Sequence, residues 1–177
     1  MNDRAKFLIA TGAGLGLLPL APGTFGALWG PVLHLAGYYL LPPELLVPWL
    51  VAWLLIVSWQ NHILTPWAVE KWRGRTRKDE DPGQFILDEI AGYLVVPIVF
   101  PLDPFVAATV GFVLFRILDI VKIHPARWID RNLHGSWGIL LDDLVSGAYA
   151  GCLLWLIEFA APGWCGAFVR GIFPCIR

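Results

Sequence analysis

The chain has 177 residues, 57% of them hydrophobic and 15% charged, with a net charge of −1. A soluble domain carries about 25% charged residues; here the charges are fewer and clustered, which leaves long stretches almost without them. Composition therefore excludes an ordinary soluble domain and gives no electrostatic footprint for nucleic acid, and it describes one polytopic membrane domain over residues 1–177.

At the N-terminus Arg4 and Lys6 resemble the start of a signal peptide, but Gly12, Gly14 and Gly16 interrupt the apolar stretch that follows, so no signal peptide is expected. Two glycine-rich segments come next, Thr11–Gly16 and Ala21–Gly26. Glycines let backbone N–H groups approach a phosphate. They equally allow close helix packing and a turn, and spacing alone favours packing over a phosphate cradle.

Apolar runs 25–41 and 44–60, joined by Pro42-Pro43, predict a helical hairpin. Residues 61–87 are polar, with dense charge over 71–81. Runs 86–100 and 104–118 are split by Pro101-Leu102-Asp103-Pro104. Each limb is about 15 residues, or roughly 22 Å of helix, short for a hydrocarbon core of about 30 Å. A second hairpin, short or partly re-entrant, is expected there, since the prolines oppose one straight pass. Residues 119–138 are polar again, 139–161 form a final spanning helix, and 162–177 form a tail. The expected fold is all-α: two helical hairpins plus a C-terminal transmembrane helix.

This layout puts residues 1–24, 61–87 and 119–138 on one side. Eleven Lys and Arg residues lie on or near that side (Arg4, Lys6, Lys71, Arg73, Arg75, Arg77, Lys78, Arg116, Lys122, Arg127 and Arg131), and two, Arg170 and Arg177, on the other. The positive-inside rule makes the first side cytoplasmic. Tryptophans near run ends, such as Trp59, Trp67, Trp128, Trp137 and Trp164, suit interfacial belts. If the far side is periplasmic, Cys165 and Cys175 face an oxidising compartment and are candidates for a disulfide, with two free thiols the equal alternative.

Acidic pairs stand beside two of the runs: Asp88-Glu89 and Asp142-Asp143. Carboxylates next to hydrocarbon are costly and usually have a partner or a task. One acid per helix start is explained by capping and the helix dipole; a second is better explained by hard-metal ligation or catalysis. Leu87-Asp88-Glu89-Ile90 and Leu141-Asp142-Asp143-Leu144 echo each other, with Gly92 or Gly147 soon after, which predicts two helix starts facing one centre. Arg116, Asp119 and Lys122, spaced i, i+3, i+6, would fan over one helix face and clamp phosphoryl oxygens, or form a salt-bridge ladder that satisfies itself. His34 reads as a satisfied bundle residue, and no spacing singles out His62, His124 or His134. The DxDx[TV], C-x5-R and S-R-x5-H-x3-D phosphatase patterns are absent, as is the CDP-alcohol transferase signature. Phosphoryl chemistry here would use metal-activated water rather than a covalent nucleophile.

Three blocks carry a resemblance to a known family: Gly16–Gly26 with Ala21-Pro22-Gly23-Thr24, Asp81–Gly92 with Asp88-Glu89, and Phe115–Lys122 leading to Gly138–Gly147 with Asp142-Asp143. In order and spacing, over about residues 8–155, the chain resembles bacterial phosphatidylglycerophosphatase A. It departs from the family pattern at Lys122-Ile123-His124-Pro125, at Phe25-Gly26-Ala27 and at Gly135-Ser136-Trp137-Gly138. These departures leave the carboxylates, Arg116 and Lys122 in place. The resemblance implies Mg²⁺-dependent hydrolysis of phosphatidylglycerol phosphate at the bacterial inner membrane.

The resulting expectation is a multi-pass lipid phosphatase with its site facing the cytoplasm. Asp88, Glu89, Asp119, Asp142 and Asp143 are the candidate catalytic residues, with Asp88, Glu89, Asp119 and Asp143 as Mg²⁺ ligands. Arg116, Lys122 and Thr24 are the candidate phosphate contacts. The rival is a transporter or channel with working intramembrane carboxylates, and depth discriminates, since these acids cluster at segment ends on one side. A third reading is an assembly subunit whose acids only cap helices.

Overall fold

The computed structural model describes residues 1–74 and 82–172, and all regular structure among them is helical. Asn2 caps α1 (Asp3–Ala10) by accepting the Ala5 amide at 2.8 Å. A tight turn follows in which Gly12 and Gly14 take φ of +54° and +99°, values that favour glycine. α2 (Pro22–Ala27) and α3 (Trp29–Leu40) run nearly end to end, with Leu28 between them in helical conformation.

The hairpin expected from 25–41 and 44–60 gains a much longer second arm, because α4 runs from Pro43 to Trp72. Residues 61–72 are polar by composition, yet Leu64, Ala68 and Trp72 recur at four-residue spacing on a buried face, so the helix continues. α5 (Leu87–Val99) has 13 residues, about 20 Å. The expected break at Pro101–Pro104 is present. Asp103 Oδ1 accepts the Phe105 and Val106 amides at 2.9 Å and starts α6 (Pro104–Val106). A π-turn over Ala107–Gly111 leads into α7 (Phe112–Val121). α8 (Ala126–Asn132), α9 (Gly135–Ala160) and α10 (Trp164–Ile172) complete the described residues.

Among the described residues, three stretches are long and apolar enough to cross a membrane: Pro43–Trp72, the continuous Pro104–Val121 rod, and Gly135–Ala160. The chain is a polytopic membrane bundle with exposed apolar side chains such as Leu55, Ile63, Val113 and Phe159 on its outside. α3 and α5, at 12 and 13 residues, are shorter than the roughly 17 needed for a pass.

α5 is the central element, packed against α4 and α9 and touching α2, α3 and α7. Without water to drive apolar association, membrane helices gain from backbones that approach closely through small residues. Here a Cβ on Gly147 would overlap the Gly92 carbonyl oxygen, and one on Gly151 would sit 2.7 Å from Val99 Cβ. The echo of Gly92 and Gly147 in the sequence is thus a direct α5–α9 contact.

Within the described part of the tail, to residue 172, α10 packs against the end of α9. Glu158 Oε1 and Oε2 accept the Gly163 and Cys165 amides at 2.7 and 3.1 Å. Cys165 is buried, while Cys175 and the basic Arg75, Arg77 and Lys78 lie outside the described residues, so the disulfide expectation does too.

Candidate functional site

The site is built on the entry to α5. Ile86 fixes that entry: its amide donates to the Ala10 carbonyl at 3.1 Å, and its side chain fills space that a Cβ on Gly12, Gly16 or Gly26 would need. The first glycine segment therefore acts by packing and turning, the alternative that spacing favoured. Gly23 is different. A side chain there would run into the Glu89 carboxylate, so the Pro22-Gly23-Thr24 turn lies directly against the site. Thr24 is half-buried. Asp88 and Glu89 occupy the first turn of α5, where the helix dipole favours an acid.

The end of α7 supplies the cations. Arg116 Nη1 lies 2.8 Å from Asp119 Oδ2 and 3.5 Å from Glu89 Oε1, tying α7 to α5. The expected three-residue fan is not formed. α7 stops at Val121 and Lys122 takes a left-handed conformation with φ of +50°. Arg127 closes this terminus by donating to the Lys122 carbonyl at 2.9 Å and the Val121 carbonyl at 3.0 Å. These bonds cap the C-terminal end of α7. Leaving the helix swings Lys122 Nζ to Asp130 Oδ1 of α8, at 2.8 Å, and to Asp142 Oδ2 of α9. Burial works against the Lys122 ammonium, but Asp142 and Asp130 outweigh it and raise its pKa above the ordinary lysine value.

The second acidic pair is not at a helix start, as the sequence suggested. α9 begins at Gly135, so Asp142 and Asp143 lie seven and eight residues in, about 10 Å along the axis. At that depth N-capping cannot explain them. Both are buried, at 2% and 3% exposure. Asp143 faces the carboxyls of Asp119, Asp88 and Asp142. Asp142 faces Lys122, Asp130 and Asp119. Among the described residues, Asp142 Oδ1 and Asp143 Oδ2 accept no hydrogen bond. Ser146 Oγ donates instead to the Asp142 backbone carbonyl at 2.9 Å.

Three helices, α5, α7 and α9, thus bring Asp88, Glu89, Arg116, Asp119, Lys122, Asp142 and Asp143 to one end of the bundle. The sequence reading missed Asp130, which sits between charged and apolar neighbours like any surface acid and carries no local signal. It also missed Asn61, fully buried on α4, whose Nδ2 donates to the Ser136 carbonyl at 3.2 Å and so holds α4 to the start of α9. His34 is a satisfied bundle residue as expected, hydrogen-bonded through Nδ1 to the Tyr93 hydroxyl at 3.1 Å. No cluster of three or more His, Cys, Asp or Glu among the described residues forms a ready-made metal cage.

The carboxylates come from the start of α5, the end of α7 and the body of α9, in that order along the chain. A family profile described as Phosphatidylglycerophosphatase A matches residues 8–158, which takes in every one of them. The chain belongs to the phosphatidylglycerophosphatase A family. Among curated relatives, Phosphatidylglycerophosphatase A of Escherichia coli is 34% identical over 154 residues, covering 85% of this chain and 81% of the relative. The Haemophilus influenzae protein of the same name is 30% identical over 155 residues, covering 86% and 88%. A Bacteroides thetaiotaomicron protein provisionally named a phosphatidylinositol-3-phosphatase is 35% identical over 149 residues, covering 83% and 89%. No solved structure matches significantly. α10 lies beyond the region shared with the family.

Proposed function

We propose that this chain hydrolyses the terminal phosphomonoester of phosphatidylglycerol phosphate to phosphatidylglycerol and phosphate. The observation that carries the reading is the convergence of Asp88, Asp119, Asp142 and Asp143 with Arg116 and Lys122 at one end of a membrane bundle. Family membership supports the substrate, and two of the relatives bear its name. Arg4, Lys6, Lys71, Arg73, Arg127 and Arg131 belong to segments assigned to that end, which supports a cytoplasmic site in a bacterial inner membrane.

The donor set fits Mg²⁺. Its oxygens are hard, and those of Asp142 Oδ1 and Asp143 Oδ2 are uncommitted in a site where a desolvated carboxylate calls for a cation. Mg²⁺ binds through one or two carboxylates plus substrate phosphate and water, so a preformed cage is not required. Asp88, Glu89, Asp119 and Asp143 would hold it. Bound there, it would polarise the phosphoryl oxygens and make water a stronger nucleophile.

The chain's own groups do the rest. Arg116 and Lys122 neutralise charge that develops on the phosphoryl oxygens, each held in place by carboxylate partners. As the water oxygen bonds to phosphorus, the bond from phosphorus to the lipid glycerol oxygen breaks. One cluster carboxylate takes the water proton and returns it to the departing glycerol oxygen as that oxygen leaves. Thr24, beside the turn that abuts Glu89, is the third proposed phosphate contact.

The Bacteroides relative favours one other substrate, a phosphoinositide. Purified protein in mixed micelles with Mg²⁺, offered phosphatidylglycerol phosphate and phosphatidylinositol 3-phosphate, decides between them. The proposal expects the larger kcat/KM on the first; the reverse ranking transfers the site to phosphoinositides. Ion flux through liposomes with no phosphate release from either lipid would instead support the transporter reading.

A further inference from the structure

The outer side of α7 and α9 carries a groove of about 250 Å³ that the catalytic reading does not use. Leu118 and Ile123 form one wall, and Tyr149, Cys152, Leu153 and Leu156 of α9 form the other. Its surface is almost wholly carbon. The Tyr149 hydroxyl is turned away to the rim, where it donates to the His124 carbonyl at 2.9 Å.

The groove lies against α7 and α9, the two helices that carry Asp119, Asp142 and Asp143. Seven residues of α-helix return to within about 20° of the starting direction, so Asp142, Tyr149 and Leu156 share one stripe of α9. That stripe is acidic at its upper end and apolar below. On α7, Leu118 precedes Asp119 of the carboxylate centre. From Asp142 to Tyr149 is about 10 Å along the axis, and from Tyr149 to Leu156 about 10 Å more. A lipid with a phosphomonoester at Asp142 would use the first distance for its headgroup glycerol and phosphodiester, and would enter the groove as hydrocarbon. The larger cavity of about 410 Å³, lined by His34, Tyr38, Pro97 and Asp103 among others, lies between the helix tips at the opposite end of the bundle.

We propose that this groove seats one acyl chain of the lipid whose phosphate occupies the carboxylate centre. The inference rests on the lipid-phosphatase reading and adds the surface that measures the chain. Cys152 lines the groove and is exposed, so a large side chain there narrows it without entering the protein core; Leu156, also exposed, sits seven residues beyond Tyr149 at the deep end.

The test compares dioleoyl and dihexanoyl phosphatidylglycerol phosphate in the same micelles, with the wild type, Cys152→Trp and Leu156→Trp. The ratio of kcat/KM for the long chain over the short one is internal to each preparation, so partial loss of folded protein cancels. The expected result is a fall in that ratio of about tenfold for either variant, the effect of displacing about two methylenes. A ratio equal to wild type in both variants overturns the groove and leaves the phosphatase reading standing. Failure of the wild type to hydrolyse either lipid overturns both.

Discussion

Substituting Gly92 by alanine tests whether the helix contact sets the site. A Cβ at Gly92 would lie 2.7 Å from Phe115 Cε2 and 2.8 Å from the Asp143 carbonyl oxygen. The ring can shift, but the carbonyl is backbone of α9. Ordinary van der Waals contact begins at 3.4 Å, so α5 and α9 must part by about 0.6 Å (3.4 − 2.8). Overpacking of this kind costs about 1–3 kcal/mol. The parting occurs one turn from Asp88 and at Asp143 itself, and a 1 Å misplacement in a catalytic site can cost about a hundredfold. Gly92→Ala should therefore lose about tenfold in kcat/KM and unfold earlier in detergent. Gly171→Ala is the control, because a Cβ there meets open space. Wild-type activity and stability in Gly92→Ala would refute the claim that this glycine contact positions the carboxylates.

Other outcomes follow from the charges. Asp143→Asn should lose at least about a hundredfold in activity yet raise metal-free thermal stability by about 1 kcal/mol, because Asp143 faces three other carboxyls; detergent melts and phosphate release read the two signs. Lys122→Gln should destabilise by about 2 kcal/mol, since it removes the cation paired with Asp142 in a mostly buried site. The folded-state pKa of Lys122 is raised, so its contribution is complete below the ordinary lysine pKa and is lost only as pH climbs through the raised value. The stability gap between Lys122→Gln and wild type should thus stay constant from about pH 7 to about pH 9.5, which denaturation at several pH values measures. Burial and the Glu158 carboxylate push the Cys165 thiol up to about 12, so a lipid-soluble maleimide should modify exposed Cys152 well before Cys165, as site-resolved mass measurement would show.

Much of the site was legible because carboxylates beside apolar runs are rare and costly, and because Asp88-Glu89 and Asp142-Asp143 echo each other with a glycine following. The glycine echo also foretold the α5–α9 contact. What failed was the placing of helix ends. Reading apolar runs ends a helix where polarity rises, yet residues 61–72 and Gly135–Gly138 are helical because a buried stripe or a packed turn continues through them. That error made Asp142 a helix start when it lies about two turns inside. The fan of Arg116, Asp119 and Lys122 assumed that α7 continued; its end at Val121 sends Lys122 to Asp142 and Asp130 instead. Nothing near Asp130 in the sequence marks it, because its pairing is with Lys122, eight residues away across a turn.

The central claim is that these carboxylates form one Mg²⁺-dependent phosphatase centre. Phosphate release from phosphatidylglycerol phosphate by purified wild-type protein and Asp143→Asn, each with Mg²⁺ and then with EDTA, tests it most directly. The expected result is release by the wild type only, abolished by EDTA and restored by added Mg²⁺. Release that survives EDTA, or an Asp143→Asn variant as active as the wild type, would contradict it.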